Sequence, residues 1–415
     1  MIKKTILPFL LVFFCSTTLF AQYYETSWIS NGVKYTGFVV NTGDDQYLFR
    51  IKYIVRGEDK LASYQAKSKE FTKADGTKSS YLDGQNGTII RGSNAAGYSA
   101  DNWYFESEEN QVKAFTVDDN GFSGGDITQS MKPALYWISI DANSLTDSYL
   151  SDYFNRDEPM YKILNAVKTG EFNLRTTKSS IIEVEFAQLS KDAEWCVVVM
   201  ANPGTIYKQQ DVKTSKVFPN SWISDHWKQG YTITEATYSK SHDEYMILMS
   251  KPYNWGTQSW KKSATIPLDW ISSKRQDDYF ITELAHLKNE WFVVMNKRPG
   301  YTGQLHKFAT ELPVDWMNKN KGEGYRVTSV DFGGQFWGVV LSRNSGIGKQ
   351  EWTMDSEYPI DFIRNKAGDG YKLTHLSYGG GKWVAVMSED STLSSNFSTI
   401  QKSSLPLSWI MDKAN

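Results

Sequence analysis

Five copies of one short pattern, Pro-x-x-aromatic-aliphatic, constrain this chain more than any other feature. They are Pro219-Trp222-Ile223, Pro267-Trp270-Ile271, Pro313-Trp316-Met317, Pro359-Phe362-Ile363 and Pro406-Trp409-Ile410, with 48, 46, 46 and 47 residues between successive prolines. Three further markers keep the same phase. One is Tyr231-x-Ile233-Thr234, Tyr279-x-Ile281-Thr282, Tyr325-x-Val327-Thr328 and Tyr371-x-Leu373-Thr374. Another is an apolar run opened by Trp195, Tyr245, Trp291, Trp337 and Trp383. The last is Gln210, Gln258, Gln304 and Gln350, nine residues before their prolines. A period of about 47 residues implies tandem units, none of which can bury its apolar face without a neighbour.

Each unit reads as about three strands and a short helix. The Tyr-x-Ile-Thr segment is β-branched and aromatic, and Trp291-Phe292-Val293-Val294-Met295 is a continuous apolar stretch suited to a buried strand. A third, more polar strand carries the Gln. Proline at a first helical position, Ile223 and Trp227 four apart, and Gly230, Gly324 or Gly370 eleven residues past the proline are helix start and stop signals. Pro159, Ile163, Val167 and Gly170 repeat the helix signature upstream, so the array is expected over 159–415, with an insertion before Trp195. The expected fold is mainly β, with the units closing into a propeller-like ring of about five; an open solenoid is the alternative.

Residues 22–130 lack this phase. Tyr47-Leu48-Phe49-Arg50-Ile51-Lys52-Tyr53 alternates like a half-buried strand, and Asn31-Gly32, Asn86-Gly87 and Asn120-Gly121 are hairpin-type turns, so a small separate β domain is expected. Residues 131–158 read as a linker in which Ser144-Leu145-Thr146-Asp147 could open a helix. At 415 residues the chain is long enough for more than one core.

The first 21 residues read as a signal peptide: Lys3 and Lys4, an apolar run from Ile6 to Phe20, then Ala21, with Gln22 opening the mature chain. Cys15 is the only residue a lipoprotein reading could acylate, and Phe13 and Phe14 stand where small residues belong. The expected destination is the periplasm or the exterior. No later stretch has the ~18 apolar residues of a membrane span. Cys196 is then the one mature cysteine, which excludes a disulfide scaffold; within Trp195-Cys196-Val197-Val198-Val199-Met200 it reads as a buried strand residue. With 45 Lys and Arg against 47 Asp and Glu and no long run of either sign, nothing points to nucleic acid or an anionic membrane as partner.

The spaced pattern of Gln, Pro-x-x-Trp-Ile, Gly-Tyr-x-Ile-Thr and Trp-x-Val-Val-Met resembles an uncharacterised β-rich tandem repeat family. It is a domain of unknown function, found at the C-terminus of plant casein-kinase-like proteins and in exported bacterial proteins. The resemblance covers roughly residues 180–410 and implies no activity. The chain has no Gly-rich phosphate loop and no His-Arg-Asp, so kinase function is not carried over.

Chemical motifs are sparse. His-Glu-x-x-His and paired zinc cysteines are missing, and His226, His242, His286, His306 and His375 show no ligand-pair spacing. Asp118-Asp119-Asn120-Gly121 with Asp126 lacks the alternate ligand spacing of a calcium loop. No catalytic, cofactor-binding or metal-binding residue is therefore assigned, and no cofactor is expected. Glu235 and Glu283 hold equivalent positions after the Ile-Thr pair, where later units have Ser329 and His375, and such breaks in a repeat are where a site could sit. Trp222, Trp270, Trp316 and Trp409 read as core; out-of-phase Trp255, Trp260 and Trp352 are the candidates for exposed contacts. The sequence reading is an exported, non-catalytic binding or scaffolding protein whose partner is an unknown protein or glycan of the cell envelope or exterior. A glycan-binding or glycan-hydrolysing protein and a self-assembling envelope component are the alternatives.

Overall fold

The apolar runs that mark each unit fold as strands buried on both faces, and this sets the whole arrangement of residues 159–415. The computed structural model describes residues 23–30, 33–43, 46–72, 78–84, 102–108, 111–117, 132–139, 145–175, 178–190, 193–202, 207–252, 256–297, 300–390, 393, 397–402 and 405–414. The leader, Asn86-Gly87, the Asp118–Asp126 segment and Trp255 lie outside them. The chain is mainly β, built from several antiparallel sheets. Among the described residues no helix is long and apolar enough to cross a membrane.

Eight strands come first: β1 (Tyr23–Ser30), β2 (Val33–Gly43), β3 (Gln46–Val55), β4 (Glu58–Thr72), β5 (Lys78–Gly84), β6 (Asn102–Glu108), β7 (Gln111–Val117) and β8 (Lys132–Ser139). They pair in chain order, and β8 also pairs with β1. Ser30 pairs with Val33, which leaves Asn31-Gly32 between β1 and β2, and the alternating Tyr47–Tyr53 segment lies in β3. The β segment therefore runs past residue 130, where the sequence reading ended it. Helix α1 (Asp147–Tyr153) follows; its cap is Thr146, whose hydroxyl accepts the Tyr149 N–H, two residues later than the cap expected at Ser144. Helix α2 (Pro159–Thr169) has proline in its first turn and stops at Gly170 with φ 63°.

Next come β9 (Glu171–Arg175), β10 (Ser180–Ser190), β11 (Ala193–Ala201), β12 (Tyr207–Ser215), α3 (Asn220–Lys228), β13 (Thr232–Ser239), β14 (Glu244–Pro252), β15 (Gln258–Ser263), α4 (Leu268–Gln276), β16 (Tyr279–Leu287) and β17 (Glu290–Lys297). The chain ends with β18 (Gly303–Ala309), α5 (Val314–Gly322), β19 (Tyr325–Gly333), β20 (Phe336–Arg343), β21 (Ile347–Asp355), α6 (Ile360–Gly368), β22 (Lys372–Gly379), β23 (Lys382–Asp390), β24 (Phe397–Lys402) and α7 (Leu407–Ala414). The strands make five sheets, ordered β10-β11-β24, β13-β14-β12-β9, β16-β17-β15, β19-β20-β18 and β22-β23-β21. β9 is the insertion expected before Trp195.

The second strand in each order is the apolar run, and its two faces serve two cores. Trp291, Val293 and Met295 face Val340 of the next sheet, while Phe292 and Val294 join Ile233, Ile247 and Met249 of the previous one. The same alternation joins Val339 and Leu341 to Val384 and Val386, and Ala385 and Met387 to Val197 and Val199. The other face of the β10 sheet packs on Val212, Met246 and Leu248. The first strands of the sheets touch in the order β10, β13, β16, β19, β22, and β22 also lies against β10.

The in-phase glutamines do stand on the polar strands, and all four do the same thing. The Gln350 amide accepts the Val327 N–H at 2.7 Å and donates to Val327 O at 3.0 Å and Ser388 Oγ at 2.9 Å. Gln210, Gln258 and Gln304 bond the backbones of Ile181, Ile233 and Ile281 in the same way, with Ser250, Asn296 and Ser342 as third partners. Each glutamine thus ties its own sheet to the preceding one. In β24 the corresponding position is Phe397, opposite Ala201, and it packs among the apolar residues around Leu373 instead.

Three local expectations are corrected. The prolines before α3 to α6 are caps rather than first helical residues: Pro219, Pro267, Pro313 and Pro359 have ψ of 60°, 60°, 63° and 53°, and their carbonyls accept the N–H four residues on. The aliphatic member of the Pro-x-x-aromatic-aliphatic pattern is the buried one; Ile223, Ile271, Met317, Ile363 and Ile410 are buried, while Trp222, Trp270, Trp316 and Trp409 are half-buried around them. Trp195 is one residue out of phase. Tyr238 faces Tyr245 across its sheet, but Phe186 faces Cys196, so Cys196 and not Trp195 is the counterpart of Tyr245, Trp291, Trp337 and Trp383. Trp195 accordingly points outward and is 37% exposed.

Candidate functional site

Because β10, β13, β16, β19 and β22 each pair with only one strand of their own sheet, each presents an edge with unpaired backbone groups to its neighbours. Side chains of the adjacent first strand meet this demand. Ser329 Oγ accepts the Leu284 N–H and an Asp331 oxygen accepts the His286 N–H at 2.5 Å. Glu185 accepts the Tyr378 N–H at 2.7 Å, and Ser377 donates to Asp331 at 3.1 Å. Every first strand also has a bulge, at Ile182, Thr234, Thr282, Thr328 or Thr374. The four threonine hydroxyls bond Ser250, Asn296, Ser342 and Ser388 on the next strand. The bulge turns the following residue toward the middle of the assembly.

What collects there is a cavity of 770 Å³ lined by all five first strands. Glu183, Glu235, Glu283, Ser329 and His375, the residues after the bulges, line it, with Glu185 and Asp331 two positions further on. The sequence comparison of Glu235, Glu283, Ser329 and His375 therefore picked out residues that share one cavity. It missed Glu183, Glu185 and Asp331. Near one end are Phe186, Tyr238, His286, Phe332 and Tyr378, one from each sheet. Four of these rings rest on the aromatic residue opposite, with centroids 5.1 Å (Tyr238–Tyr245), 5.3 Å (His286–Trp291), 5.1 Å (Phe332–Trp337) and 5.0 Å (Tyr378–Trp383) apart. Gly333 and Gly379 let two of them lie flat on the next sheet: a Cβ would come within 1.8 Å of the His286 ring and 1.9 Å of the Phe332 ring.

The carboxyls differ in how they are held. Glu183 lies 3.6 Å from His375 Nδ1; burial raises its pKa, opposed by His375 and the Leu376 N–H. Burial pushes Glu185 well up, with the charge of Asp331 adding to it. Burial raises Asp331 to about 7 in spite of the His286 and Phe332 N–H groups. Glu235 accepts only the N–H of its own neighbour Ala236, at 3.0 Å, and burial and then the charges of Glu183 and Glu283 push it well above the carboxylate range. Glu283 is pushed the same way by burial and then by Glu183 and Asp331, and among the described residues no hydrogen bond or ion pair opposes the shift.

The remaining candidates lie elsewhere. His226 bridges Trp222 O and Asp211. His242 joins Ser239 and Ser241 around the buried Glu194, a knot tying the β13–β14 turn to β11. Burial lowers the pKa of His286 and of His306. Trp260 and Trp352 are half-buried against the cores rather than free contacts, and Cys196 is fully buried with its thiol pKa pushed well up. Among the described residues no three carboxylate, imidazole or thiol groups come together as a metal ion would need.

Residues 190–308 and 292–415 both match the family described as a domain of unknown function, DUF7477. A casein kinase 1-like protein, HD16, of Oryza sativa subsp. japonica is 30% identical over 161 residues, 38% of this chain and 21% of that protein. The chain thus spans about a fifth of that relative's length.

Proposed function

The chain belongs to the DUF7477 family, and from that starting point we propose that residues 159–415 form a five-bladed propeller serving as a non-catalytic binding or scaffolding module of an exported protein, with its ligand in the central cavity. The observation that carries the reading is the cyclic contact of the five first strands around that cavity. Pairing of the late strand β24 with the early strand β11 supports the ring, since it joins the two ends of the array in one sheet. On this reading each of the two family matches, 190–308 and 292–415, spans more than two repeats of about 47 residues. A cavity in the size range of small-molecule sites, with few polar groups free to bond a guest, favours binding over a merely structural channel. Deleting residues 397–415 tests the ring: a closed propeller loses cooperative unfolding as a whole, whereas an open array loses only its last unit.

The binding reading is tested by filling the cavity. Glu283→Trp places an indole in it from a position without a hydrogen-bond partner among the described residues, and the variant is expected to keep its fold and lose the ligands that wild-type protein retains on an oligosaccharide and small-metabolite panel. Equal retention by both proteins refutes the cavity as the site. The glycan-hydrolysing alternative is favoured by one observation, the shared cavity of Glu235 and Glu283. Turnover of any oligosaccharide, abolished by Glu235→Gln, establishes it and overturns the non-catalytic reading. Export requires that protein recovered outside the cytoplasm begin at Gln22 by mass spectrometry; a mature chain still carrying Lys3 and Lys4 contradicts it.

A further inference from the structure

The edge-capping pattern gives Ser329, Asp331, Glu183 and Glu185 backbone N–H partners in the preceding sheet, while the N–H groups of Ala236 and Phe332 are taken within their own strands. Ser329 caps Leu284, and Asp331 caps His286. By the same geometry Glu283 of β16 should cap Ala236 of β13, but the Ala236 N–H goes to Glu235 of its own strand. Glu283 is left part-exposed to the cavity it lines, with no hydrogen bond or ion pair among the described residues. A carboxyl so placed has its lone pairs open to a guest that carries donors.

Resting on the reading of the cavity as a ligand site, we propose that Glu283 is the anchor for an organic cation, a protonated amine whose ammonium group takes the hydrogen-bonding place that Ala236 leaves empty. Four features favour a cation over a neutral guest. Glu183, Glu235 and Asp331 line the same cavity, and their charges and that of Glu283 act on one another. His286, on the same strand, is held neutral by burial and so does not compete for the carboxylate. Lys240, the one lysine lining the cavity, comes from the turn after β13. An amine has three donors to share among Glu283 and the bulge threonines Thr234 and Thr282.

Burial and its acidic neighbours raise the Glu283 pKa. An ammonium guest favours the carboxylate, so amine binding is expected to release to solvent whatever proton the carboxyl holds: the cation enters, the carboxyl loses H⁺, and charge in the cavity balances.

Calorimetry with putrescine, spermidine and the neutral trisaccharide maltotriose on the full chain at pH 7, in two buffers of different ionisation enthalpy, tests this. Wild type is expected to bind the amines and release up to about one proton. Glu283→Gln and Glu283→Ser, the latter copying Ser329, are expected to bind them about tenfold more weakly or worse, with no proton released. Two variants are needed because folding of each is confirmed separately by its thermal transition. Equal amine affinity in wild type and both variants overturns the assignment of Glu283. Binding of maltotriose without binding of amines overturns the cation inference and leaves the cavity reading standing; binding of none of the three overturns both.

Discussion

The four glutamines that tie neighbouring sheets are the most quantitative handle on the fold. Gln350 is fully buried and occupies both backbone groups of Val327 together with the Ser388 hydroxyl. Gln350→Ala leaves the Val327 N–H and C=O without partners in a site closed to solvent. Each orphaned buried group costs about 1 to 3 kcal/mol, and the small void adds roughly 1 kcal/mol. The expected loss is therefore about 3 to 7 kcal/mol. Gln258 makes the same bonds and an additional one from Trp227 Nε1, but it is only half-buried. Water can replace part of what Gln258→Ala removes, so that loss should be about 1 to 2 kcal/mol. Urea unfolding followed by tryptophan fluorescence gives the two values, and hydrogen exchange gives a local readout. The Val327 amide should exchange at least about tenfold faster in Gln350→Ala than amides of the eight-stranded N-terminal sheet do. A loss below about 0.5 kcal/mol, the scale of an ordinary surface substitution, with Val327 still protected, would refute the reasoning that these side chains hold the sheets together.

Other consequences are as direct. Glu185, Glu235, Glu283 and Asp331 all have pKa values raised in the folded chain, so the stability they contribute is fully present below their unfolded values and is lost as pH rises through their folded ones. Thermal midpoints should therefore fall between pH 5 and pH 8, and Glu283→Gln should flatten the fall by stabilising the protein at pH 8; a wild-type midpoint that climbs over this interval and ignores Glu283→Gln contradicts it. Glu194 behaves oppositely: burial pushes its pKa up, but bonds from His242, Ser239, Ser241 and the Lys240 N–H hold it below the usual range. Glu194→Gln should cost about 2 to 3 kcal/mol at pH 7, measured by urea unfolding, and less at pH 4. Gly379→Ala puts a methyl into the Phe332 ring and should cost at least about 1 to 3 kcal/mol; in a double-mutant cycle Phe332→Ala should recover much of that loss. Cys196 should stay unreactive to iodoacetamide until the protein unfolds.

Sheet-forming segments and helices could be read from the sequence because local rules govern them. The continuous run Trp291–Met295 signals a strand buried on both faces, and the structure supplies a core for each face. The helix stops at Gly230, Gly324 and Gly370 all show positive φ, of 86°, 86° and 88°, and in the unit without that glycine Asp278 takes the left-handed conformation at φ 62°. The misreadings arose where a neighbour decides. Trp195 looks like the start of a run by composition, yet the register opposite Phe186 shifts the run by one residue, and period-two alternation then turns the indole outward. The acidic residues of β10 and β19 were missed because their partners are remote in sequence: Asp331 reaches His286 across 45 residues and Glu185 reaches Tyr378 across 193. One sequence signal could have found Glu183: Ile181-Ile182-Glu183 corresponds to Ile233-Thr234-Glu235, but Ile182 in place of threonine hid the match.

The cavity carboxyls are easily mistaken for a single acidic site, and counting their lone pairs separates them. A carboxyl oxygen that accepts a backbone N–H from the preceding sheet is part of the scaffold, because withdrawing it would expose an edge strand. Glu185 and Asp331 are committed in this way, Asp331 through one oxygen on His286 while the other takes Phe332 and the Ser377 hydroxyl, and Glu183 is committed to the His375 and Leu376 side of β22. They shape the field in the cavity without being free to follow a ligand. Glu235, with one oxygen on Ala236, is half free, and Glu283 is wholly free. The same asymmetry explains why the repeated positions diverge. Where an edge N–H needs an acceptor, serine serves as well as aspartate, as Ser329 does; where the neighbour satisfies itself, the position is released from structural duty and its side chain can be set by whatever enters the cavity. A ligand should thus be read by the β13–β16 side of the cavity and tolerated by the rest, so substitutions at Glu235 and Glu283 should change affinity at little cost in stability, and those at Glu185 and Asp331 should do the reverse.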